Sequence, residues 1–261
     1  MKERLDKVLL SRGLVRTREL AQALIIEGKV FVDGKKVTKP GAPASEDSDI
    51  SLAAADLPYV GRGGLKLEAA LNFFKVHLEN NIVMDVGSST GGFTDCMLQR
   101  GATKAYCIDV GYGQLAWSLR QDPRVVLLER TNIRHLESEI GSLKPEARKK
   151  ELEDLIQSNI DIAAIDVSFI SLTKVIPVVI KFLKEKAGIL ALVKPQFEVG
   201  KGEVGKGGIV RREEKRLSAL KTVMDFVETL SLKIAGVLRS PLPGQKGNIE
   251  YLLYMRRGLY G

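Results

Sequence analysis

Nowhere does the chain hold an apolar run near the roughly 18–20 residues needed to cross a bilayer. Its opening stretch is charged and amphipathic where a signal peptide would be apolar. Both absences predict a soluble, cytoplasmic protein with no membrane partner. Cysteine is equally scarce: Cys96 and Cys107 are the only two. They form neither a disulfide framework nor a metal-ligand spacing, and each is expected to pack in the interior. His77 and His135 are the only histidines. Neither has an acid or nucleophile placed for a relay, so both are read as structural and no metal is expected. Aromatic residues make up 6% of the chain. Trp117 and Phe169 are read as core or pocket wall rather than as surfaces on which bases stack.

What is present is charge and a sizeable apolar fraction. The 261 residues are 44% hydrophobic, enough for one full α/β domain and a small appendage. The net charge of +8 favours a polyanionic partner such as nucleic acid. Residues 1–40 hold ten Lys/Arg against five acids, so a net +5 of the total is concentrated there. Leu5, Val8 and Leu9, then Leu20, Ala21, Leu24 and Ile25, have helical spacing, which predicts two short helices joined around Gly13. Thr17 is placed to cap the second. Alternation at Val30 and Val32, then Asp33-Gly34 and Val37, predicts a hairpin. The stretches Arg4 to Leu10, Val15 to Ile25 and Gly28 to Val37 closely resemble the small rRNA-binding domain named after ribosomal protein S-four. The resemblance implies a phosphate-binding face for structured RNA, carried by Arg4, Lys7, Arg12, Arg16, Arg18 and Lys29, with Arg62 beyond it.

The expected organisation is a small α+β RNA-binding domain over 1–56, a linker over 57–61 and a second domain over 62–261. Pro58 stiffens that linker and the glycines at 61, 63 and 64 loosen it. Leu65, Leu67, Ala70, Leu71 and Phe74 predict an amphipathic helix at the start of the second domain. Next comes the stretch around which that domain is built. Ile82 to Val86 reads as a buried strand, Gly87, Gly91 and Gly92 as a tight turn that brings backbone N–H groups close to a ligand, and Phe93 to Arg100 as a helix. Further strands are expected at 104–110, 125–128, 160–166, 189–194, 234–238 and 250–256, with a helix from about Arg211 to Leu230. Strands alternating with helices predict a Rossmann-like, doubly wound α/β fold with a largely parallel sheet.

The glycine spacing lacks the G-x-G-x-x-G dinucleotide pattern, so a nicotinamide enzyme is the weakest reading. Asp109 ends the second strand 22 residues after Gly87, where such folds place the carboxylate for a ribose hydroxyl. An acid before the first glycine, here Asp85, resembles the S-adenosylmethionine turn of methyltransferases. Two more strands end in charge, at Asp166 and at Lys194. Gly200 to Gly207 nearly spells a phosphate-binding loop, but Gly207 stands where the magnesium-binding hydroxyl belongs, so a mobile basic loop is expected instead.

Residues 61–67, 85–95, 109–115, 166–172 and 192–198 together resemble the TlyA family, which pairs the RNA-binding domain with an FtsJ-like methyltransferase. The resemblance implies transfer of a methyl group from S-adenosylmethionine to a ribose 2′-hydroxyl of ribosomal RNA, with cytidine the expected nucleotide and rRNA or ribosomal subunits the partner. It also implies a Lys-Asp-Lys-Glu tetrad, here Lys66, Asp166, Lys194 and Glu250. A ribose hydroxyl is a weak nucleophile, so a base must take its proton as it attacks. Lys194 is the expected base, since partial burial and a neighbouring cation, Lys66, favour a neutral amine. Asp166 and Glu250 would hold the two lysines. For the cofactor the expected residues are Asp85 and Gly87 at the methionine moiety, Asp109 on the ribose, Asn132 at the adenine, and Ser88, Gly91, Gly92, Phe93, Val110 and Asp166 around them. Family members carry Arg-Ala-Trp-Val in the linker where this chain has Leu57-Pro58-Tyr59-Val60, so no linker role carries over. Members also bear the name haemolysin. A membrane-active protein and a non-catalytic RNA-binding assembly factor are therefore the alternatives.

Overall fold

A computed structural model describes residues 2–12, 14–15, 17–45, 48–52, 58–136, 146–200, 202–205, 207–244 and 247–258. The chain forms two compact units, Met1–Leu57 and Pro58–Gly261.

The first unit runs β1 (Lys2–Arg4), α1 (Leu5–Ser11), α2 (Arg18–Ile26), β2 (Val30–Val32), β3 (Lys35–Val37), β4 (Pro43–Ser45) and β5 (Ile50–Leu52). The expected helix pair is there because Leu5, Val8, Leu9, Ala21 and Ile25 fall on facing stripes and bury one another with Val30 and Ala44. Thr17 starts α2 as expected, its hydroxyl accepting the Leu20 N–H at 3.1 Å. The hairpin pairs Val30 with Val37 and Val32 with Lys35. Asp33 and Gly34 both take left-handed backbone, as a two-residue type I′ turn requires. Two pairings were not foreseen: β5 against β2, and β4 against β1. Gly13 and Arg16 lie outside the described residues.

The second unit contains α3 (Gly63–Phe74), β6 (Ile82–Val86), α4 (Gly92–Gln99), β7 (Lys104–Ile108), β8 (Val125–Leu128), α5 (Glu146–Gln157), β9 (Ile160–Ile165), β10 (Leu183–Val193), α6 (Glu213–Thr229), β11 (Leu232–Arg239) and β12 (Tyr251–Arg257). Its seven strands lie in the order β11-β12-β10-β9-β6-β7-β8. The run from β10 to β8 is parallel, and β12 enters antiparallel between β10 and β11. Alternate strand residues serve opposite faces. Met84, Val86, Tyr106 and Ile108 join one apolar cluster with Val223 and Val227 of α6. Val83, Ala105 and Cys107 join another with Leu67 of α3 and Cys96 of α4. Both cysteines are buried and free, as expected of packing residues. The chain leaves β6 toward β7 on one side and returns to pair β9 on the other. That reversal opens a crevice at the carboxyl ends of the strands, where ligands of such sheets bind.

The connector expected over 57–61, stiffened by Pro58 and loosened by glycines, is packed down from Tyr59 onward. Tyr59 is buried, its hydroxyl donating to Glu68 at 2.9 Å, and the Val60 N–H donates to Asp95 at 2.7 Å. The glycines serve close packing rather than flexibility. A Cβ on Gly92 would lie 3.0 Å from the Gly64 nitrogen and 3.1 Å from the Gly61 carbonyl oxygen, so α3 and α4 meet backbone to backbone.

Candidate active site

Each tetrad residue is delivered to the carboxyl edge by its own element. Lys66 lies near the start of α3, Asp166 comes directly after β9, Lys194 directly after β10, and Glu250 precedes β12. Register explains the convergence. Val193 pairs with Tyr251, which leaves Lys194 and Glu250 just beyond neighbouring strand ends. The Asp166 N–H donates to Val86, beside the glycine turn.

The side chains form two ion pairs. Lys66 Nζ lies 2.6 Å from Glu250 Oε2, and Glu250 is only 2% exposed. Lys194 Nζ stands 2.7 Å from Asp166 Oδ1 and donates to Ser168 Oγ at 2.9 Å. The contact with Asp166 is electrostatic, its angles lying outside hydrogen-bond geometry. The expected pairing of carboxylates with lysines is therefore present in the geometry, but the neighbouring cation expected to favour a neutral Lys194 amine is not: Lys194 stands against Asp166 and Lys66 against Glu250, and an adjacent acid favours the charged form. Two further groups, neither anticipated, hold the surrounding loops. Glu198 accepts from Ser171 Oγ at 2.6 Å and the Leu172 N–H at 2.9 Å, tying the loop after Asp166 to the segment after Lys194. Burial pushes its carboxyl up. Asn248, almost fully buried, accepts the Val210 N–H at 3.1 Å and donates to the Gly208 carbonyl at 2.8 Å. The segment just after the 200–207 loop expected to be mobile is thus stapled two residues from Glu250.

At the glycine turn, Gly87 has φ +87°, and a Cβ there would lie 2.5 Å from the Asp166 carbonyl oxygen. Only glycine lets β6 turn this close to Asp166. Asp85 is fully buried; Oδ2 accepts from the Thr94 hydroxyl at 2.6 Å and N–H at 2.9 Å. Burial, reinforced by Asp166 and Asp109, pushes its carboxyl up to about 7. Asp85 Oδ1 and Ser88 Oγ, on either side of Gly87, are buried without a partner among the described residues. Asp109 organises its own rim, accepting the Ser89 N–H at 2.7 Å and the Gly111 N–H at 2.6 Å.

Other expected cofactor residues have different surroundings. Gly91 (φ +94°) has Leu115 and Leu119 against its Cα. Gly92 and Phe93 are buried in the α3–α4 packing, Phe93 lying against Gly63. Val110 is exposed, and Asn132 caps a short 3₁₀ turn by accepting the Arg134 N–H. Of the two readings given for Trp117 and Phe169, core or pocket wall, core is overturned: they are 68% and 91% exposed. Phe169 holds left-handed backbone and leans on the Phe197 ring at 5.0 Å between centroids. Phe169 falls in the segment after β9, and Trp117 opens a four-residue helix, Trp117–Arg120, between β7 and β8.

In the first unit, Arg4 and Arg18 each lie 3.0 Å from the buried Asp6, which Gln22 also contacts at 2.9 Å. Those contacts hold the Asp6 carboxyl well below the usual carboxylate range. Arg12 donates to the Ser48 carbonyl at 2.8 Å. Lys29 pairs with Glu27 and Lys7 with Glu3. Arg62 is exposed.

A doubly wound sheet with a tight glycine turn and charged residues at its carboxyl edge defines a Rossmann-like protein with its ligand site at that edge. An FtsJ-like methyltransferase model matches residues 59–257, and an S4 domain model matches residues 3–50. The chain belongs to the FtsJ-like methyltransferase family and carries an S4 domain ahead of it. It is 43% identical over 97% of its length, and 89% of the relative's, to the 16S/23S rRNA (cytidine-2′-O)-methyltransferase TlyA of Mycobacterium tuberculosis. It is 40% identical to Hemolysin A of Brachyspira hyodysenteriae, over 96% of this chain and 98% of that one. A solved hemolysin-named structure from Streptococcus thermophilus superposes with a TM-score of 0.72 at 40% identity, covering 98% of this chain and 89% of the other.

Proposed function

We propose that the chain transfers a methyl group from S-adenosylmethionine to a ribose 2′-hydroxyl of ribosomal RNA, with cytidine as the nucleotide named for its TlyA relative. The observation that carries this reading is the pair of lysine–carboxylate contacts at the sheet's carboxyl edge, beside the Gly87 turn. The unpartnered buried oxygens of Asp85 and Ser88 fit a ligand bearing an ammonium group and polar substituents. Asp85, Gly87 and Ser88 would hold its amino-acid end, and Asp109, already fixed by two backbone N–H groups, would meet the ribose. When bound, this cofactor supplies a methyl group activated by a sulfonium centre.

Lys194, in its neutral form, accepts the proton of the 2′-hydroxyl as that oxygen attacks. Asp166 and Ser168 fix where its amine stands. Lys66, clamped by the buried Glu250, presents a cation that orients the nucleotide. Holding both reactants in line supplies much of the acceleration. Among the described residues no helix is long and apolar enough to cross a membrane. The Lys194→Ala variant is expected to bind S-adenosylmethionine like the parent in calorimetry and to lose at least a hundredfold in tritiated-methyl transfer to rRNA. An undiminished rate removes Lys194 from the chemistry.

A further inference from the structure

The opposite edge of the same sheet has its own cleft. Lys75, Lys184, Lys186 and Arg256 line a cavity of about 340 Å³ whose wall includes Tyr254 and Gly188. Asn81 just before β6, Asp161 at the start of β9 and the first residues of β10 border it, so it opens at the amino ends of the strands. The six residues of β9 separate that edge from Asp166, a span of about 20 Å.

Its charge is unbalanced. Asp161 is already engaged, accepting from Lys184 Nζ at 2.7 Å and the Ile82 N–H at 2.9 Å. Among the described residues no carboxylate pairs with Lys75, Lys186 or Arg256, and Glu185 is the one other acid in the lining. Arg256 Nε donates to the Tyr254 hydroxyl at 3.0 Å, which anchors the guanidinium along the wall. Backbone conformation fixes where two of the lysines stand. Lys75 and Lys186 have φ of +55° and +67°, a region glycine and asparagine enter at much lower cost than lysine. Both have a structural cause, Lys75 as the left-handed C-cap of α3 and Lys186 at the register shift in β10, and together they set two lysines at one cleft.

We propose that this cleft is a second phosphate site, which takes the sugar–phosphate backbone of the RNA substrate at a point remote from the reacting ribose. The inference rests on RNA being the substrate. Contact at both edges of one sheet selects folded RNA over a short oligonucleotide, because the two contact points lie a strand's length apart.

The test uses the full chain and its Lys75→Asn/Lys186→Asn variant. Asparagine suits left-handed backbone, so charge is removed while strain is relieved. Binding to a folded rRNA fragment is measured by fluorescence anisotropy across a salt series, alongside melting temperature and S-adenosylmethionine calorimetry. The expected result is about tenfold weaker RNA binding and a salt slope shallower by about two, with melting temperature equal or higher and cofactor binding unchanged. Unchanged affinity and slope in a folded variant overturn the proposal. So does a response confined to inorganic phosphate: a parent melting temperature that rises with added phosphate, a rise lost in the variant, with RNA affinity the same in both. A parent protein that neither binds nor methylates rRNA refutes the functional reading instead, so the two failures are distinguishable.

Discussion

Asp85 is ionisable, fully buried and only half satisfied, which ties its protonation to the folded state. Its folded-state value of about 7 lies well above that of an unfolded aspartate. The folded protein therefore holds a proton that the unfolded chain has released between about pH 4 and 7, and stability falls as pH rises through that window. Melting temperature measured from pH 5 to 8 should drop, and Asp85→Asn should flatten its share of the decline; parallel curves for the two proteins contradict this assignment. Asp6 has the opposite sign: its lowered value contributes stability above the ordinary carboxylate range that is lost as acid protonates it. The sequence did not reveal Asp6 as a hub, since one acid in a short amphipathic helix reads as solvated. Arg4 and Arg18, expected to face phosphate, are shared with it. Asp166 and Lys194 were legible because charge at the end of an apolar strand has few structural uses.

Among the elements, the β6 strand, its glycine turn and α4 were readable from apolar run, glycine cluster and helical spacing, yet the glycines divide their work in a way spacing does not show. Gly87 permits approach to Asp166, whereas Gly92, with Gly61 and Gly64, lets two helices touch. Replacing Gly87 by Ala should cost about 2–4 kcal/mol, from positive φ and displacement of the Asp166 carbonyl. Chemical denaturation measures that cost, and calorimetry should show S-adenosylmethionine binding weakened at least tenfold. A variant as stable as the parent means the turn tolerates a Cβ and the close approach is misplaced. β12 was foreseen as a strand but not as antiparallel, because orientation depends on the path of the preceding loop and leaves no trace in periodicity. Asn248 was missed for a similar reason: its partners, Val210 and Gly208, lie 38 and 40 residues away.

Over the whole molecule, the excess positive charge of the first 40 residues and the alternating strands of the remainder made two units and their classes legible. Exposed aromatic and basic groups around the second unit, Phe169 and Trp117 among them, could not be read as exposed, since burial is a property of the assembled sheet. The central claim is that the protein methylates a ribose hydroxyl through the Lys194 edge of the sheet. Its most direct test is to incubate purified protein with S-adenosylmethionine and rRNA, digest the product to nucleosides and identify the methylated species by mass spectrometry. The account predicts a 2′-O-methylnucleoside formed by the parent protein and absent with Lys194→Ala. A methyl group found on a base, or 2′-O-methylation that persists in the variant, contradicts it.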